Sequence, residues 1–134
     1  MSRPEDIHNR FATAFNSGSL DAILALYEPD ATLVPQPGQV ARGRDGIRQA
    51  LLQFPALKGT MRVKSVFTIH GPGVALTRGQ WELTGTGPDG KPIEMTGQSV
   101  EVIRQQPNGE WLLAVDHSLI CDPNPPKKTT FNHF

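Results

Sequence analysis

Tyr27-Glu28-Pro29-Asp30-Ala31-Thr32-Leu33 is the stretch at which the helical pattern of the N-terminal part gives way to a first short strand. It follows two short amphipathic segments and precedes Gly43-Arg44-Asp45-Gly46-Ile47-Arg48, which opens a third. Long strand-like segments then run to Trp111-Leu112-Leu113-Ala114-Val115-Asp116-His117-Ser118. Helices followed by strands predict an α+β fold in which the helices gather on one face of an antiparallel sheet. Such a sheet curls around its helices and leaves a cavity at the open end, where ligand pockets form.

Three N-terminal helices are predicted from apolar residues at helical spacing. Gly18 ends the first helix, Pro29 ends the second, and the third follows Gly43. Residues 31–35 are predicted to form a short strand. The apolar faces comprise Ile7, Phe11, Ala14 and Phe15; then Leu20, Ile23, Leu24 and Tyr27; then Ile47, Ala50, Leu51 and Phe54.

Four longer strands are predicted at residues 61–70, 74–85, 94–106 and 110–119, which are rich in Val, Ile, Thr and Trp. The breaks between them are short and contain glycine, so consecutive strands should pair antiparallel as a meander. The chain is therefore expected to form one domain over residues 1–121. Residues 122–134 are expected to form a proline-rich C-terminal tail.

Composition and charge exclude several classes of protein. The 134 residues include 13 basic and 13 acidic ones, without the basic stripe of a nucleic-acid-binding protein. The single cysteine, Cys121, excludes an internal disulfide framework. No apolar run is long enough to cross a membrane, and the N-terminus lacks a signal-peptide pattern. We expect a cytoplasmic protein that contacts neither nucleic acid nor membrane.

Three apparent motifs do not predict the chemistry that they suggest. Residues 85–90 match the spacing GxGxxG, but they join two strands, whereas a dinucleotide site needs a strand followed by a helix. The four histidines lack the paired spacing of a zinc site, so no metal is expected. Asp116, His117 and Ser118 are the residue types of a hydrolase triad, but neighbouring strand residues point to opposite faces.

The candidate chemistry depends on which residues of the last two strands face the cavity. Strict alternation places Trp111, Leu113, Val115 and His117 on one face, and Leu112, Ala114, Asp116 and Ser118 on the other. If Asp116 and Glu101 both face inward, two carboxyls share one cavity. Burial beside a like charge raises the pKa of at least one carboxyl towards neutrality, as a general acid or base requires.

The sequence leaves other placements of these side chains open. Glu101 could instead pair with Arg78 or Arg104 on the solvent face. His117 could have a structural role on the outer or subunit-facing surface, with catalysis as the alternative. Trp81 and Tyr27 could be plain core aromatics, or could line the cavity with their polar tips turned inward.

The chain resembles the SnoaL-like and ketosteroid-isomerase-like branch of the nuclear transport factor 2-like superfamily. The likeness spans residues 4 to about 120 and rests on residues 24–33, on residues 43–48, and on Glu101-Val102-Ile103-Arg104 through Trp111 to Asp116-His117. It implies a cone-shaped α+β barrel with a hydrophobic pocket. It also implies a homodimer packed through the outer sheet face.

The resemblance also assigns roles to individual positions. The general-base aspartate of the ketosteroid isomerases falls at Pro35 and their oxyanion-hole tyrosine at Phe11, so their mechanism is not expected here. Their protonated acid falls at Glu101, where a neutral carboxyl could donate a hydrogen bond to an oxyanion. Asp116 resembles the last-strand acid of SnoaL-like cyclases.

These observations favour a small-molecule-binding protein for an apolar, oxygen-bearing substrate. As an enzyme it would be cofactor-free and use acid/base catalysis of the isomerase, cyclase, dehydratase or hydrolase type. The alternative is a ligand-binding or dimerisation module without catalysis, because Pro35 and Phe11 replace polar residues that relatives use. The candidate catalytic residues are Asp116, Glu101 and His117, and the candidate substrate-binding residues are Phe11, Phe15, Tyr27, Trp81 and Ser99.

Overall fold

The computed structural model describes residues 3–35, 38–52, 59–87 and 89–121. These residues form an α+β fold, as predicted. A turn of 3-10 helix at Pro4–Asp6 leads into the first α-helix. The helices are α1 (Ile7–Asn16), α2 (Leu20–Leu24) and α3 (Gly43–Leu51), and the strands are β1 (Tyr27–Val34), β2 (Ala41–Arg42), β3 (Thr60–Gly71), β4 (Val74–Thr86), β5 (Pro92–Gln105) and β6 (Trp111–Cys121).

One mixed sheet contains all six strands in the order β2-β1-β6-β5-β4-β3. Strands β3 to β6 form the predicted antiparallel meander, and their ends lie within two residues of the predicted ones. Strand β1 pairs antiparallel with β2 and parallel with β6. The last strand of the chain therefore lies in the middle of the sheet.

The second helix is shorter than predicted, and the strand after it begins earlier. Helix α2 ends at Leu24, and Tyr27 already belongs to β1. Pro29 lies inside this strand and does not end the helix. It is tolerated because the pairing of β1 with β6 is irregular between Tyr27 and Thr32, where no ladder hydrogen bond is required of it.

Short-range contacts position the helices against the sheet. Gly18, with a φ of 75°, adopts the left-handed conformation that ends α1, and the Ser19 hydroxyl accepts a hydrogen bond from the Ala22 amide at the start of α2. Arg44 donates two hydrogen bonds, of 3.1 and 2.6 Å, to the Tyr27 carbonyl. This contact attaches the start of α3 to the start of β1.

The core lies between the helices and one face of the sheet. Its fully buried side chains come from α1, α3 and four strands: Ile7, Tyr27, Ile47, Leu83, Ile103 and Leu113. Phe54 and the tail at residues 122–134 lie outside the described residues. Within the described part of the chain, no helix has the length and apolarity needed to cross a bilayer.

A β-bulge in β6 corrects the predicted alternation of faces. Val102 pairs with Val115 and Ile103 pairs with Leu113, so Ala114 is an extra residue without a partner on β5. The extra residue moves the first part of the strand to the other face. Leu113 therefore faces the core together with Asp116, and Val115 is exposed on the outer face.

A candidate acid–base site

A cavity of about 110 Å³ lies between the helices and the inner face of the sheet. Its wall is largely apolar and includes Phe11, Phe15, Tyr27 and Trp81, four of the five residues predicted to bind substrate. The volume is comparable to that of an apolar cavity of roughly 150 Å³ that accommodates benzene. The cavity could therefore enclose a ring-sized part of a ligand.

The polar groups of the cavity lie together on β5 and β6. Glu101 and Asp116 are direct cross-strand partners, and Ser99 and Ser118 form the next inward-facing pair. All four residues line the cavity, including the predicted Ser99. The carboxyl-bearing residues are only 5% and 7% exposed, respectively. Two buried carboxyls thus share one wall of an apolar space.

Glu101 is held by two side chains on other elements. Thr77 Oγ1 donates a hydrogen bond of 2.8 Å to Glu101 Oε1, and His8 Nε2 lies 2.8 Å from the same oxygen. Glu101 therefore does not lie on the solvent face, which was the other placement that the sequence allowed. Arg78 donates to Gln98, and Arg104 lies 3.5 Å from Glu28.

Asp116 receives a hydrogen bond of 2.6 Å from the Tyr27 hydroxyl, which turns its polar tip into the cavity. Burial raises the pKa of Asp116 to about 7, and the nearby charge of Glu101 adds to this effect. The Tyr27 hydrogen bond and, when His8 is protonated, its positive charge act in the opposite direction. Burial, followed by the charge of Asp116, also raises the pKa of Tyr27 well above its ordinary value.

His8 belongs to this site, although the sequence analysis did not select it. It lies on α1 and is 5% exposed. Its Nδ1 is 2.6 Å from Ser65 Oγ on β3. A signal was available, because His8, Phe11 and Phe15 follow helical spacing and so place a histidine on the apolar face. In the described part of the chain, no group of three or more potential metal-ligating side chains is found.

His117 does not join the two candidate carboxyls. It pairs with Val100 on β5, and its neighbours Asp116 and Ser118 both point into the cavity. Because side chains alternate along a regular strand, His117 points to the outer face. His117 therefore takes the outer-face placement, one of the two alternatives that the sequence left open.

Solved structures of other proteins share this fold. A ketosteroid isomerase-like protein from Erwinia carotovora atroseptica is 24% identical with a TM-score of 0.77, over 89% of this chain and 94% of that one. A nuclear transport factor 2-like protein with a cystatin-like fold from Novosphingobium aromaticivorans is 17% identical with a TM-score of 0.74, over 89% and 80%. No curated protein matches the chain significantly.

A third solved structure is a candidate dehydratase of the nuclear transport factor 2-like family from Streptomyces avermitilis. It is 17% identical with a TM-score of 0.71, over 86% of this chain and 91% of that one. At such identities these likenesses establish the fold alone. The family follows from the sequence itself, because residues 8–112 match the SnoaL-like domain. The chain therefore belongs to the SnoaL-like domain family.

Proposed function

We propose that this protein binds a small, apolar, carbonyl-bearing molecule and catalyses proton transfer on it. The observation that carries the proposal is the carboxyl of Asp116, which lies buried in the cavity wall and has a pKa of about 7. A group with this pKa is present in both protonation states near neutral pH. It can therefore remove a proton from a bound molecule and return it elsewhere.

Glu101 complements Asp116 as a hydrogen-bond donor or proton donor. The two carboxyls are cross-strand neighbours in one cavity wall, and one proton shared between them would supply a base and a donor together. Within the described residues, the hydrogen bonds from Thr77 and His8 both reach Oε1 of Glu101. Its Oε2 is the oxygen available to a substrate carbonyl that gains negative charge.

The expected substrate is neutral and compact. Anions are disfavoured because Glu101 and Asp116 already bring negative charge into a poorly solvated space. Phe11 and Pro35 line the same cavity, so the two positions at which ketosteroid isomerases carry polar catalytic groups are apolar here. The chemistry would therefore depend on the Glu101–Asp116 pair.

The test is deuterium incorporation from heavy water into the carbon positions next to the carbonyl of small cyclic ketones. We expect the wild-type protein to accelerate incorporation above the buffer rate. Asp116→Asn should abolish the acceleration and Glu101→Gln should weaken it. Glu94→Gln removes an exposed carboxyl of β5, the strand of Glu101, and should leave the rate of incorporation unchanged. Native mass spectrometry of the purified protein would identify a retained small molecule and guide the choice of ketone.

Equal incorporation with wild-type and Asp116→Asn protein would overturn the acid/base proposal. If native mass spectrometry then still detected a retained small molecule, the cavity would be that of a non-catalytic binding module. That is the alternative function considered from the sequence.

We also propose that two copies of the chain pair through the outer face of the sheet. Ile69, Leu76, Val102 and Val115 are successive cross-strand neighbours on β3, β4, β5 and β6, so they form one apolar row. Three of these large apolar side chains are exposed: Ile69, Leu76 and Val115. An apolar row of this kind on a sheet face suits a second copy of the same surface.

The oligomeric state can be measured by light scattering after size-exclusion chromatography. We expect a dimer for the wild type and a folded monomer for Leu76→Glu. Gln80→Glu introduces the same charge at another exposed, outward-facing position of β4 and should remain dimeric. A monomeric wild type, or a dimeric Leu76→Glu variant, would contradict this proposal.

A further inference from the structure

We infer that Ser65, His8 and Glu101 form a proton relay between the protein surface and the cavity. The inference rests on the proposed acid/base function, for which the relay would supply and remove protons. Ser65 is exposed on β3, whereas His8 and Glu101 are both buried. The relay thus starts in solvent and ends at one of the two cavity carboxyls.

The geometry of each step suits proton transfer. Ser65 Oγ lies 2.6 Å from His8 Nδ1, and His8 Nε2 lies 2.8 Å from Glu101 Oε1. Both distances are those of ordinary hydrogen bonds. An imidazole can accept a proton on one nitrogen and release one from the other, and a hydroxyl can donate and accept at once.

Inward transfer begins with neutral His8 protonated on Nε2. The Nε2 proton moves to the Glu101 carboxylate, the Ser65 hydroxyl proton moves to Nδ1, and a solvent proton replaces it on Ser65. His8 is again neutral but is now protonated on Nδ1, and Glu101 has gained one proton. Outward transfer reverses these steps and restores the first tautomer, so repeated exchange needs no rotation of the ring.

The outer end of the relay lies outside the cavity. Ser65 does not line the cavity, whereas His8 and Glu101 do. An apolar ligand would displace water from the cavity and so close the direct route to the carboxyls. The route through Ser65 would remain open, because it enters between α1 and β3. Asp116, as the cross-strand partner of Glu101, lies at the inner end of this route.

The test compares two substitutions of nearly identical shape at position 65. Ser65→Thr keeps the hydroxyl, and Ser65→Val replaces it with a methyl group that also excludes water from His8 Nδ1. Both residue types suit a strand. With ¹⁵N-labelled histidine, the exchange of the His8 ring N–H with water is measured by saturation transfer, and its signal is assigned by its loss in His8→Gln.

We expect the exchange rate to fall about tenfold in Ser65→Val, as the loss of one hydrogen-bonded step predicts, and to stay near the wild-type rate in Ser65→Thr. An unchanged rate in Ser65→Val, or an equal fall in both variants, would overturn the relay. A purely structural hydroxyl would affect stability without controlling this rate. Failure of the proposed function would be seen separately. It would appear as ketone exchange that does not depend on Asp116, whereas failure of the relay would appear in the exchange rate of the His8 ring N–H.

Discussion

Gly79 on β4 leaves the space that the His8 ring occupies. A Cβ atom at position 79 would lie 2.9 Å from His8 Nε2 and 3.1 Å from both His8 Cε1 and Ser99 Oγ. Real Cβ atoms essentially never approach another atom closer than 3.0 Å, and contacts of 3.1 Å are tighter than nine in ten. The absence of a side chain on β4 therefore allows α1 to place a buried histidine against Glu101.

Gly79→Ala should push His8 away from Glu101 and destabilise the fold by about 1–3 kcal/mol, the usual cost of overpacking. Urea unfolding measures the free energy, and the histidine ¹⁵N spectrum reports the lost contact. Gly46→Ala, in helix α3, is the control, because a Cβ atom at position 46 would lie 3.8 Å from the nearest atom. Alanine should stabilise that helix slightly. A Gly79→Ala protein with wild-type stability and an unaltered His8 signal would contradict this account.

Asp116→Asn should change how stability depends on pH. The raised pKa of Asp116 means that the folded state holds this proton between about pH 4 and about pH 7, where the unfolded chain releases it. Wild-type stability from this group is therefore present at low pH and lost as pH rises to about 7. Asparagine stays neutral throughout. At pH 8 we expect the variant to be more stable than the wild type by about 2–4 kcal/mol, since one pKa unit corresponds to about 1.4 kcal/mol.

The measurement is the free energy of unfolding in urea at pH 5 and at pH 8. The advantage of the variant should be small at pH 5 and large at pH 8. Glu94→Gln, at an exposed position of β5, provides the matched control and should show no such gain. An Asp116→Asn advantage that is the same at both pH values would contradict the raised pKa.

Tyr27→Phe should raise the pKa of Asp116 above about 7. The Tyr27 hydroxyl donates to Asp116 Oδ2 and thereby favours the carboxylate. Without this hydrogen bond, the burial of Asp116 and the charge of Glu101 should raise its pKa further. Titration of ¹³C-labelled aspartate side chains measures the pKa directly. A lower pKa in Tyr27→Phe would show that the hydroxyl does not stabilise the charged form.

Arg44→Ala should destabilise the protein by about 1–2 kcal/mol, because a main-chain carbonyl at Tyr27 loses both of its charge-assisted donors. Arg48→Ala is the control from the same helix. Arg48 forms a 2.5 Å contact with Asp21, but the two side chains are 43% and 82% exposed, and such pairs contribute less than about 1 kcal/mol. Chemical unfolding of both variants gives the comparison. Equal losses would remove the structural role assigned to Arg44.

Much of the fold follows from the sequence because the periodicity of the four long strands is unambiguous. Their antiparallel order is confirmed, and their ends lie within two residues of the predicted ones. The sequence left the inward direction of Glu101 open, and the structure places both Glu101 and Asp116 in the cavity wall. The start of β1 could not be predicted in this way, because Tyr27 fits the helical spacing of α2 as well as it fits a strand. Only its pairing with Leu113, far along the chain, selects the strand.

Two further features of the site depend on contacts that a local pattern does not contain. The bulge at Ala114 shifts Trp111 and Leu113 to the inner face, and no residue type at that position signals it. The position of His8 against Glu101 depends on helix α1 packing over a glycine 71 positions later, at Gly79. The histidine on an apolar helical face was visible in the sequence, but its partner was not.

The placement of β6 between β1 and β5 has a consequence for the order in which the molecule is completed. Strands β3, β4 and β5 are consecutive in the chain and pair with one another directly. Strand β1 is connected to them only through β6, which consists of residues 111–121. The same late segment brings Asp116, and with it the partner of Tyr27. The step that closes the sheet is thus also the step that brings Asp116 beside Glu101, so a chain that ends before β6 has neither a closed core nor the pair of carboxyls.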